Sequence, residues 1–167
     1  QIKECKVDAV FGDVLFVSPN DLHKEIRYYS SKDFSLRKFE SGYMPAHPTF
    51  FTKRNFYEKF GGFNTNYKIA ADFELLLRFL YVNKISFHYM DQCMVHMRTG
   101  GLSNATILSR LILNKEIIKA CKEHGVKTNL FKIITKVIHK IPEYFIGFER
   151  KKKLPDTSES SSILPYK

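Results

Sequence analysis

Tryptophan is absent from this 167-residue chain, cysteine occurs three times, and acidic residues are few, with 17 Asp and Glu against 27 Lys and Arg. Cys5, Cys93 and Cys121 are odd in number and far apart, with no CxxC pair and no Cys/His cluster at zinc-binding spacing. That excludes a disulfide framework and a structural zinc site, and a reducing, cytosolic compartment is expected. No apolar run approaches the ~20 residues that cross a bilayer, and the opening residues are not expected to act as a secretory leader. No segment repeats at a fixed period. No recognition-helix pattern, RNP-like motif or basic–aromatic interleaving accompanies the positive charge, so nucleic acid is not an expected partner.

What is present is core material. Apolar residues make up 44% of the chain and aromatics 14%, led by fifteen Phe and nine Tyr, which predicts a folded domain and not a disordered segment. The net charge of +10 is unevenly placed: from Arg110 onward, thirteen Lys and Arg stand against six Asp and Glu. A basic C-terminal third suits an anionic partner such as a phospholipid surface or a nucleotide phosphate. A solvated helical face is the simpler account of any single lysine. The chain opens on Gln1 without an initiator methionine and enters a strand almost at once, so it is expected to be part of a longer protein.

Residues 7–17, VDAVFGDVLFV, predict a strand pair or one strand kinked at Gly12. Ser18-Pro19-Asn20-Asp21 is a turn signal, and residues 25–29 return as a second strand. Residues 32–41 read as a short helix leading into a loop. Pro45 and Pro48 keep residues 43–48 out of a helix, and Thr49-Phe50-Phe51 reads as a short strand. A helix is expected from Lys53 or Arg54 to Phe60, stopped by Gly61-Gly62, with Phe63 packing back on it. Another starts at Ala70 or Ala71 and carries Phe73, Leu76, Leu77 and Leu80 at helical spacing. Residues 85–89 and 94–97 read as two strands, and Thr99-Gly100-Gly101 as a turn. Ser103 or Asn104 is expected to cap a long helix ending at Gly125. A second amphipathic helix is expected over residues 128–141, and a basic, Ser-rich, disordered tail over 150–167.

The series HPTFF, GGFN, IAADFELLLR and GGLSN, in that order, resembles the C-terminal half of inverting family 2 glycosyltransferases, enzymes of the GT-A fold. The opening VDAVFGDVLFV is similar to the central VVYGDV-type strand of that family. The resemblance covers residues 7–104. It implies an α/β fold, a partial GT-A-like mixed sheet flanked by helices, with residues 1–104 as the acceptor-side part and 105–149 as a C-terminal helical extension. It implies transfer of a sugar from a nucleotide-sugar donor to the hydroxyl of a glycan or lipid-linked acceptor, with inversion, in bacterial polysaccharide or glycolipid assembly. The family's metal-binding acids, a DxD-type motif holding Mg or Mn on the pyrophosphate, are expected upstream of residue 1. No DxD occurs here, so no metal or other cofactor is expected to be bound by this chain alone.

By this resemblance Asp72 matches the family's general base. The residue before it is Ala71, where many members carry Glu. An ordinary carboxylate suffices for the role, because the acceptor hydroxyl acidifies only in the transition state. A first-turn acid that complements the helix dipole is the structural account of both Asp72 and Glu74. Glu74 and Arg78 are also substrate-binding candidates, although an i, i+4 ion pair is the favoured reading of the two. His47, pinned between prolines, is placed to contact donor or acceptor or to be a structural residue. Arg98 with Gly100 and Gly101 is placed to stabilise a leaving diphosphate, and His96 is a candidate metal ligand. His124 is assigned no partner. The basic C-terminal helices suit peripheral contact with the inner face of a cell membrane. The alternative is a non-catalytic remnant that binds acceptor or partner.

Overall fold

Ala9–Val17 forms β1, nine residues that are almost all buried, as befits an apolar run lying in the middle of a sheet. The computed structural model describes residues 6–100 and 106–133. β2 (Glu25–Tyr29) pairs antiparallel with the C-terminal half of β1, and the two-residue β3 (Phe51–Thr52) pairs antiparallel with its start. β4 (Phe87–Arg98) runs parallel to β1 along its whole length, from Ala9 opposite Phe87 to Val17 opposite Arg98. The result is a mixed four-stranded sheet with helices packed on it, so the α/β class holds. β1 is a single strand, and the two strands expected over 85–97 are one.

The break anticipated at Gly12 appears in the pairing. The register against β4 shifts between Phe11 and Asp13 and again between Asp13 and Val14, so β4 bulges past this point. Gly12 is required there by close approach. A Cβ at this position would lie 2.8 Å from the Gln92 carbonyl oxygen and 2.6 Å from the Met94 sulfur. Gly12→Ala is therefore expected to destabilise the fold by about 1–3 kcal/mol, since part of the obstruction is backbone and must shift. Urea denaturation at matched slope measures it.

α1 (Arg54–Phe60) is stopped as expected at Gly61, which adopts φ +85° and donates its N–H to the Tyr57 carbonyl at 2.9 Å. Its last turn faces Phe79 through Tyr57 and Phe60. α2 (Ala71–Leu76) continues without a gap into a π-helical turn, Leu77–Val82, closed by Asn83 N–H to the Arg78 carbonyl at 3.0 Å. Phe73, Leu75, Leu76, Leu77, Phe79 and Leu80 are all buried, so this segment is enclosed on most sides. α3 (Ile107–Glu123) begins at Thr106 and not at Ser103 or Asn104, because the Thr106 hydroxyl accepts the Ser109 N–H at 3.0 Å. It ends at Gly125, as predicted, with Val126 N–H reaching back to the Cys121 carbonyl at 2.8 Å.

The core lies between Ala9 and Phe11 of β1 and the helices α2 and α3. Phe11, Phe34, Phe39 and Phe73 form a run of edge-to-face rings at 5.4–5.7 Å. Phe39 comes from a 3-10 helix, Leu36–Ser41, which replaces the short helix expected over 32–41. Ile117, Ala120 and Cys121 of α3 are buried in the same core. Burial pushes the Cys121 thiol up to about 11, leaving it protonated and inert at neutral pH. Of the second amphipathic helix, residues 130–133 are helical, begun by the Asn129 side chain accepting the Lys132 N–H at 2.8 Å. Its remainder and the tail lie outside the described residues. Among the described residues no helix is long and apolar enough to cross a membrane.

Candidate functional site

The segment that carries the family resemblance is anchored from three directions. The first anchor is Thr49. The expected strand at 49–51 begins two residues late because His47–Thr49 is a 3-10 turn. The buried Thr49 hydroxyl accepts the Gly12 N–H at 3.1 Å and lies 2.9 Å from the Gly12 carbonyl and 2.7 Å from that of Ala46. The Ser31 hydroxyl donates to the Gly12 carbonyl and accepts the Ala46 N–H, both at 3.0 Å. His47 thus sits on a turn fastened to the middle of β1, and this turn also packs against α2.

The second anchor is Glu116. Ala70 opens α2 with no capping side chain, and Glu116 reaches across from α3 to replace one. Its two carboxylate oxygens accept the N–H groups of Lys68, Ile69 and Ala70 at 2.8, 2.9 and 2.8 Å. Burial alone would raise this carboxyl; the three backbone bonds outweigh it and hold the group below the usual range. Beside it, Tyr67 donates to Glu123 at 2.5 Å, and burial followed by that bond raises the phenol above the ordinary tyrosine value.

The third anchor is Glu74, which is 2% exposed. Arg78 meets it as a fork, Nε to Oε1 at 2.9 Å and Nη2 to Oε2 at 3.0 Å. His124 Nε2 lies 2.8 Å from the same Oε1, joining the end of α3 to α2. The remaining Arg78 donors go to main-chain oxygens: Nη1 to Phe60 and to Gly61, the latter at 2.9 Å, and Nη2 to Gly62 at 2.7 Å. All five guanidinium N–H groups are committed within the fold. Burial would raise the Glu74 carboxyl, but the Arg78 and His124 contacts prevail and lower it.

Asp72 lies in the same first turn of α2, yet it is only partly buried. Its Oδ1 accepts the N–H of Phe73 at 2.7 Å, which fixes the carboxylate at the helix start. Of the two acids in this turn, Glu74 is sealed beneath the surface and Asp72 reaches it.

His96 and Arg98 fall at the exposed end of β4, opposite Leu15 and Val17 of β1. Thr99 N–H closes this end on the Val17 carbonyl at 3.0 Å, and Gly100 follows at φ +117°. Gly101 lies outside the described residues. Among the described residues no group of three or more His, Cys, Asp or Glu is arranged to hold a metal ion.

Three participants were not singled out from the sequence. Asp13 is 1% exposed in the middle of β1, and the signal was visible: a lone acid inside an apolar run. Its Oδ1 accepts the Ser31 N–H at 2.8 Å, and its Oδ2 accepts the hydroxyls of Tyr28 at 2.7 Å, Tyr89 at 2.9 Å and Ser30 at 3.3 Å. Glu116 is an acid near the apolar stripe of α3. His124 has the partner that no local pattern assigns it. Comparison with protein-family models, curated proteins and solved structures returned no match to this chain.

Proposed function

We propose that this chain is the acceptor-side part of an inverting glycosyltransferase of the family 2, GT-A type, with Asp72 as the general base. One observation carries the reading: the first turn of α2 presents a single partly exposed carboxylate, Asp72, on a helix whose leading N–H groups are held by Glu116 and whose Glu74 is held by Arg78. In this role Asp72 takes the proton of the acceptor hydroxyl as that oxygen attacks the anomeric carbon. A new carbon–oxygen bond forms on the face opposite the departing nucleoside diphosphate, whose own bond to the sugar breaks. Glu74 and Arg78, named above as substrate-binding candidates, act here as an ion pair that holds the Phe60, Gly61 and Gly62 carbonyls. Donor and divalent metal belong, on this reading, to residues outside this chain, and no step is routed through them. The membrane-surface contact finds support in Ile107, Leu108 and Leu111, which are 80%, 65% and 54% exposed beside Arg110.

In the complete enzyme, Asp72→Asn is expected to lower turnover at least about a hundredfold while donor binding stays unchanged. Transfer at the wild-type rate removes Asp72 from the mechanism. Residues 1–167 alone are expected to bind no nucleotide-sugar, and tight, metal-dependent nucleotide binding by them overturns the division between donor and acceptor sides.

A further inference from the structure

Two loops carried by different elements meet at His47 and Phe63, their ring centroids 5.6 Å apart and their planes at 79°. Both loops are fixed. The His47 turn is fastened to Gly12 through Thr49 and Ser31. On the other side, the three carbonyls immediately before Phe63, those of Phe60, Gly61 and Gly62, are all held by Arg78. A fork-shaped ion pair, buried on its Glu74 side, therefore positions the turn from which Phe63 projects.

Phe63 was expected to pack back on its helix; its ring meets His47. It is 51% exposed. An exposed phenylalanine on a loose loop needs no explanation. One whose backbone is clamped, and whose ring stands perpendicular to a second fixed ring, is a preorganised surface that loses little freedom when a ligand binds. Meeting edge to face, the two rings leave a corner beside the exposed part of Phe63.

We propose that Phe63 and His47 form a subsite for a pyranose ring of the acceptor glycan; this rests on the glycosyltransferase reading and names the substrate class at its acceptor side. The chemistry of the corner selects such a ring. A pyranose carries a face of C–H bonds, which packs on the electron-rich face of an aromatic ring. Its rim carries hydroxyls, each both donor and acceptor, and a neutral imidazole offers one donor and one acceptor nitrogen. An acyclic polyol has the hydroxyls without the flat C–H face and lacks the complementary shape.

Saturation-transfer NMR on residues 1–167 tests this, with methyl β-D-glucopyranoside, methyl β-D-galactopyranoside and methyl α-D-mannopyranoside as probes and sorbitol as the acyclic control. Saturation is expected to reach the ring C–H protons of at least one glycoside and not those of sorbitol. Phe63→Ala is expected to weaken that binding about tenfold and Phe63→Trp to retain it. Because Phe63 is half exposed, its variants keep the wild-type circular dichroism spectrum. The subsite is overturned if no glycoside is saturated, if sorbitol is saturated equally, or if Phe63→Ala binds as wild type does. The two proposals fail separately. Phe63-dependent glycoside binding together with wild-type transfer by Asp72→Asn removes the base and leaves the subsite. Loss of transfer in Asp72→Asn with Phe63-independent binding does the reverse.

Discussion

Replacing Arg78 by alanine is expected to destabilise the fold by about 3 kcal/mol, near the lower end of what breaking a buried ion pair costs. For a domain of this size that is a fall in melting temperature of about 10 °C. The cause is what the substitution leaves behind. Glu74 is 2% exposed, and without the guanidinium its carboxylate keeps, among the described residues, His124 at 2.8 Å. The carbonyls of Phe60, Gly61 and Gly62 lose their donors in the same step. Arg78→Lys is expected to recover little, because an ammonium cannot make a two-point contact with the carboxylate while serving three carbonyls.

The same cluster has a pH signature. Glu74 is held below its ordinary value in the folded state, so its contribution is fully present above about pH 4.5 and lost as pH falls through the folded value. Thermal melts between pH 3 and 7 are expected to show stability declining on the acid side. The slope should be shallower in Arg78→Ala, where burial opposes ionisation with one fewer counter-charge. An unchanged slope would mean that Glu74 is not the group being titrated. Glu116, Glu40 and Asp8 are also lowered and supply the residual slope.

Asp13→Ala is expected to be comparably severe, at about 3 kcal/mol, because four donors converge on one buried carboxylate and the buried Ser31 N–H loses its acceptor. Asp13 ties β1 to the segment after β2 and, through Tyr89, to β4. Its bond and the burial of the ring raise the Tyr89 phenol above the ordinary tyrosine range, burial being the larger cause. Asp13→Asn is expected to lose about 1 kcal/mol, since the amide oxygen still accepts from Ser31 and the hydroxyls can reorient. Equal losses in the Ala and Asn variants, measured by urea denaturation, would show that charge and not hydrogen bonding is what the site requires.

Much of the fold could be read locally. An apolar run bounded by Ser18-Pro19 gave β1, Gly61 ended α1, and Gly125 ended α3, because each signal acts within a few residues. The misplacements arose where a distant group supplies the decisive bond. Thr49 was drawn out of a strand by Gly12, 37 positions away. Residues 85–97 read as two strands because the bulge opposite Gly12 interrupts the alternation, and only the pairing with β1 shows one strand. The π-helical turn after Leu76 has no marker in a continuous LLLRFL run.

The candidate site divides in the same way. From the sequence alone came an acid in the first turn of a helix, an i, i+4 Glu74–Arg78 pair and a histidine framed by prolines, since helix periodicity and proline stiffness are local properties. Tertiary structure decided which acid is buried and which is open, because that depends on His124 arriving from the end of α3 and on three carbonyls arriving from the end of α1. It also decided that Phe63 faces water beside His47. Hydrophobicity predicts that a phenylalanine packs inward. A backbone clamped by the partly buried Arg78 guanidinium holds it half exposed at the surface.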